Sequence, residues 1–110
     1  MNSGDAARES ETSAAVTSAV PVIIRSLAAH GVTDVQWFLA FHGYPVVWLV
    51  TSTDAEKATV VEHGFFRSQV LSALAGAGVA RDLVERAGVT VESQETVDRD
   101  FEGSWFYAMR

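Results

Sequence analysis

Apolar residues recur along this chain with two different periods, and each change of period marks an element. The spacing Val20, Ile23, Ile24, Leu27 follows i, i+3, i+4, i+7 and predicts an amphipathic helix. Ser18 is placed to cap it, and Pro21 falls in the first turn, where a missing N–H costs little. Gly31 after His30 is a natural stop. The period then falls to two. In residues 33–53, TDVQWFLAFHGYPVVWLVTST, one face carries Val35, Trp37, Leu39 and Phe41, and the other Gln36, Phe38, Ala40 and His42. HGYP makes a turn, and the return strand alternates Val47, Leu49 and Thr51 with Val46, Trp48 and Val50. Both faces of this hairpin are apolar, which a sheet with one wet face does not show.

Thr53 and Glu56 form a capping-box pattern, so a helix begins at Asp54 and runs to His63 before Gly64. FFRSQVLSALAG continues helically on a stripe of Phe66, Val70, Leu71 and Leu74, and ARDLVERAG adds a turn or two before Gly88. A second hairpin closes the pattern. VTVESQ reads as strand three, ETVDRDFEG as its turn, and SWFYAMR as strand four, with Trp105, Tyr107 and Met109 opposite Ser104, Phe106 and Ala108. The expected fold is two-layer α+β in the order α-ββ-α(α)-ββ: a four-stranded antiparallel sheet of two β-hairpins with helices on one face. Residues 1–16 are small and polar and read as a disordered tail to a single domain over residues 17–110.

Composition narrows the function classes. With 48% hydrophobic and 20% charged residues, the chain is globular. No cysteine is present, and Asp5, Glu9 and Glu11 precede any apolar run, unlike a signal peptide; the expected setting is cytoplasmic. No apolar run suggests a membrane span, and the bias toward Arg, Ala, Val and Gly fits a bacterial source. The net charge of −6 is uneven: residues 92–102, ESQETVDRDFE, hold five acids against Arg99 alone. Nucleic-acid binding needs a basic patch, which is missing, whereas a basic protein partner suits the acidic segment.

Candidate chemistry is sparse. His30, His42 and His63 are scattered, and capping roles near helix ends are expected for His30 and His63; His42, beside a turn, is the most accessible. DRDFEG begins like a calcium loop at Asp98, Asp100 and Glu102, but the twelfth position is Met109 where a bidentate Glu is needed. No metal or cofactor is expected. Glu92 and Glu95 are the nearest thing to a carboxylate pair, and they read as solvated charges on a strand. No serine or cysteine nucleophile pattern exists, and the G-A-G of LAGAGVA follows a helix where a dinucleotide fingerprint follows a strand.

The aromatics remain. Trp37, Phe38, Phe41, Tyr44, Trp48, Trp105, Phe106 and Tyr107 all fall on the two expected hairpins, more than one helix-covered face absorbs. A second aromatic face implies a protein partner or a homodimer. The expected binding surface comprises Glu92, Glu95, Asp98, Asp100 and Glu102 with Trp105, Tyr107, His42 and Tyr44. In size, acidity and the α-ββ-α-ββ order over residues 17–110, the chain resembles the small intracellular immunity proteins that neutralise bacterial toxins. That resemblance implies a non-enzymatic domain that binds a basic toxin surface. The alternative is a small enzyme or ligand-binding protein with a pocket between sheet and helices, built on His42 and a carboxylate.

Overall fold

A computed structural model describes residues 3–109, with side chains from residue 6 onward. Its elements are α1 (Ser3–Leu27), a 3-10 turn (Ala28–His30), β1 (Val32–Leu39), β2 (Pro45–Thr51), α2 (Asp54–His63), α3 (Phe66–Gly76), α4 (Arg81–Arg86), β3 (Gly88–Ser93), α5 (Gln94–Asp100) and α6 (Trp105–Ala108).

The sheet has three strands in the order β1-β2-β3 and is mixed, not four-stranded and antiparallel. β1 and β2 form the expected hairpin, with Val35 opposite Leu49 and Trp37 opposite Val47. Ala40 N–H donates to the Tyr44 carbonyl at 2.8 Å and closes its loop. β3 instead lies parallel to β2, pairing Val47 with Val89, Leu49 with Val91 and Thr51 with Ser93. The chain between them explains this. Three helices, α2 to α4, form a long crossover, and a crossover returns the next strand parallel to the last.

The expected second hairpin is absent because its turn and fourth strand are both helical. The Ser93 hydroxyl accepts the Thr96 N–H at 3.0 Å and starts α5 where a turn was expected. Glu102 (φ 54) and Gly103 (φ 79) then take left-handed conformations that reverse the chain. The Ser104 hydroxyl caps α6 by accepting the Tyr107 N–H at 3.4 Å. Tyr107, expected on a strand, lies in this helix and is 55% exposed.

The first helix also differs. It spans Ser3–Leu27, so Ser18 and Pro21 lie inside it on its exposed side, and the expected tail is helical from Ser3. Thr12, Ala15 and Val16 are buried and extend the stripe Ala19, Ile23, Leu27 backward. The stripe begins with small residues, so apolar bulk alone hides it. By length and composition Ala6–His30 is apolar enough to cross a membrane. Here the stripe packs into the domain's own core.

That core lies on one sheet face. Val35, Val47, Leu49 and Val91 meet Val16, Ala19, Ile23 and Leu27 of α1, Val60 of α2, Val70 and Leu74 of α3, and Leu83 of α4. The odd-numbered set of β2 is thus the helix-covered set. On the opposite face Gln36, Trp48 and Thr90 stand in one row, and Phe38 and Val46 in the next. α6 covers part of it: the Trp105 ring meets Trp48 edge-on, with centroids 6.4 Å apart, and Trp105 Nε1–H donates to Gln94 Oε1 at 2.8 Å. The chain's own C-terminal helix therefore supplies cover that a partner or second copy was expected to give.

Candidate functional site

Parallel strands in open α/β sheets present ligands at their carboxyl ends. Here the ends of β2 and β3 meet two helix N-termini. The capping box is present at α2, with Glu56 N–H donating to Thr53 Oγ1 at 3.2 Å and Thr53 N–H to Glu56 Oε1 at 3.1 Å. α2 and α5 also cap each other. Asp54 N–H donates to Glu95 Oε1 at 3.4 Å, and Glu95 N–H to the Ser52 carbonyl at 3.2 Å. In return the Asp54 carboxylate, at the start of α2, accepts from the Ser93 hydroxyl, from Thr96 Oγ1 at 2.7 Å and from Arg99 Nη1 at 3.2 Å. Negative charge at each helix N-terminus is favourable, so the clasp satisfies both dipoles from within the chain.

The Ser93 hydrogen bond foremost, then those of Thr96 and Arg99, bring the Asp54 carboxyl from 3.8 down to about 2. A carboxylate pinned in its charged form is a poor proton carrier near neutral pH. The clasp is structural. A group with a depressed folded value stabilises the fold above its unfolded value, and that contribution fades as pH falls towards the folded one. Asp54→Asn is therefore expected to melt below the parent protein at pH 5, with the gap closing between pH about 4 and about 2. A gap unchanged across that window would contradict the assignment.

The structure separates the expected binding residues into groups. Glu92 is three-quarters or more buried and paired with Lys57 Nζ at 3.1 Å, and Glu95 caps α2. Asp98 accepts from Gln94 Nε2 at 2.9 Å, Asp100 pairs with Arg99 Nε at 3.2 Å, and both remain exposed with Glu102. Trp105 is half-buried against Trp48, while Phe106 (67% exposed) and Tyr107 (55%) stand out beside those three acids in the chain. His42 and Tyr44 lie before β2, at the other end of the strand; six steps of ~3.3 Å put about 20 Å of strand between them and α5.

That far end has features of its own. His42 adopts a left-handed φ of 76, unusual for a side-chain-bearing residue, and Phe41 beside it is 85% exposed. Both line a cleft of about 370 Å³ with Arg8, Glu9, Thr12 and Gly43. Arg8 Nη2 reaches both Asp82 carboxylate oxygens, at 2.6 and 2.7 Å, and holds that carboxyl below its ordinary value. Arg86 lies 5.3 Å from the centre of the Tyr44 ring. Sequence spacing also missed one pairing: the rings of His30 and His63 are 4.0 Å apart. Both precede a glycine at a helix end, the one signal the sequence offers.

Fold and site together define a small α+β domain in which the carboxyl ends of β2 and β3 are closed by the chain's own side chains. No family model, no curated protein and no solved structure matches the chain. The immunity-protein resemblance rested on an α-ββ-α-ββ order that the mixed sheet replaces.

Proposed function

We propose that this is a non-catalytic binding domain whose α5–α6 end takes a basic protein partner. The observation that carries this reading is the juxtaposition along one short segment of exposed Asp98, Asp100 and Glu102 with exposed Phe106 and Tyr107. Glu92 is largely buried in its pair with Lys57, and Glu95 bonds across to the α2 backbone. The bonds of Asp98 and Asp100 run instead to Gln94 and Arg99 of their own helix and leave both exposed, so these two and Glu102 are the charges a partner meets. Acidic rims steer a basic surface into register, and aromatic side chains supply the apolar anchor. The clasp beneath holds α5 on the sheet, and the Trp105–Trp48 contact holds α6.

The test is a triple charge reversal, Asp98→Lys, Asp100→Lys and Glu102→Lys, with the fold checked by circular dichroism. Captured partner is expected to associate at least ~10-fold more slowly, and the salt dependence of its association to flatten. Association indifferent to both the reversal and salt would refute the reading.

A further inference from the structure

His30 closes the 3-10 turn that extends α1, and His63 closes α2. Each is followed by a glycine in the left-handed conformation, Gly31 at φ 102 and Gly64 at φ 78, whose N–H returns to the helix. Two helix C-termini, each the negative end of its dipole, thus converge where the imidazoles meet. The ring centroids are 4.0 Å apart with 44° between planes, and Phe65 lies edge-on to His63 at 5.3 Å. Among the described residues neither imidazole joins a side-chain hydrogen bond or ion pair, so their ring nitrogens are uncommitted. His63 is exposed and His30 half-buried, which leaves the pair open to solvent. The Glu56 side chain runs alongside Gly31.

We propose that His30 and His63 form a two-imidazole site for a divalent transition-metal ion. Metal–nitrogen bonds of ~2.0–2.1 Å set two bound nitrogens about 3 Å apart, a separation that tilted rings with centroids 4.0 Å apart reach by side-chain rotation. The helix C-termini favour a cation there and disfavour an anion. No third His, Cys, Asp or Glu completes a cluster among the described residues, so water fills the remaining positions. Two neutral imidazoles suit copper, nickel and zinc, and the general order for divalent first-row ions places Cu²⁺ above Ni²⁺ and Zn²⁺.

Calorimetric titration of the full chain with Cu²⁺, Ni²⁺ and Zn²⁺ tests this. One saturable equivalent is expected, tightest for Cu²⁺, and the copper resonance spectrum should show nitrogen couplings from two imidazoles. His30→Phe and His63→Phe keep an aromatic ring in the pair, and each is expected to weaken binding by at least the ~10-fold that loss of a mere outer-shell partner costs. His42→Phe should bind as the parent does. Parent-like affinity in either of the first two variants overturns the proposal, as does an equal loss in His42→Phe or no saturable binding by the parent. Should a variant fail to fold, the parent's spectrum decides, and fewer than two nitrogens overturns the proposal.

Discussion

Chains that begin at residue 17 are expected to melt on the order of 10–20 °C below the intact protein. Val16 is fully buried and Ala15 nearly so, both within the main core. Removing a buried valine and an alanine methyl forfeits about 2–4 kcal/mol of apolar burial. The Arg8–Asp82 pair goes with them, but it is exposed and worth about 0–1 kcal/mol. Thr12, buried with its hydroxyl bonded to the Arg8 carbonyl at 2.8 Å, is also lost. Shortening also opens the cleft that Arg8, Glu9 and Thr12 line with Leu83 and the turn at Ala40–Gly43. A shortened chain melting within a degree or two of the intact one would show that the first helix contributes nothing before residue 17. Thermal unfolding followed at 222 nm decides it.

The second large effect is expected from Leu49→Ala, a loss of about 2–5 kcal/mol. Leu49 is fully buried, sits mid-way along the central strand, and pairs with Val35 on one side and Val91 on the other. Its cavity opens between all three strands and the helix layer, where close packing leaves little freedom to collapse. That loss is a large share of the ~5–15 kcal/mol that holds a domain of this size together. Phe38→Ala, on the other face and 37% exposed, is the contrasting substitution, expected within about 1 kcal/mol of the parent. If Phe38→Ala proves the more damaging, the two faces have been assigned the wrong way round. Denaturant titration of both variants separates the outcomes.

Local signals in the sequence were good guides where one element explains itself. The Thr53–Glu56 box, the first hairpin with its period of two, and the stripe Val70, Leu74 of α3 all stand as read. What failed was relational. Alternation marks β3 as a strand but does not name its neighbour, and the three-helix connection that makes room for a parallel pairing with β2 does not by itself choose it over the hairpin alternative. Residues 104–109 alternate as a strand would, yet the Ser104 cap and the left-handed Glu102–Gly103 corner make them a short helix that brings Trp105 to Trp48. Strand propensity in Trp, Phe and Tyr yields here to tertiary contact. The start of α1 was hidden because alanine and threonine, not large apolar residues, carry its buried face. Among the acids, type and spacing made the segment conspicuous but could not show which charges the chain keeps for itself. Glu92 and Glu95 lie only a few residues from Asp98 and Asp100, yet the first two reach across to Lys57 and the α2 backbone while the bonds of Asp98 and Asp100 stay within α5, to Gln94 and Arg99.

The most direct test of the proposed binding end is photo-crosslinking from position 106. A photoreactive phenylalanine analogue there, in cells that make the protein, is expected to trap a basic partner. The adduct should weaken sharply when Asp98, Asp100 and Glu102 are reversed to lysine. The same analogue at position 65, exposed but distant in sequence from the acids, should trap little. Adducts formed from position 65 and not from 106, or adducts from 106 that survive the charge reversal unchanged, would contradict the assignment of α5–α6 as the binding surface.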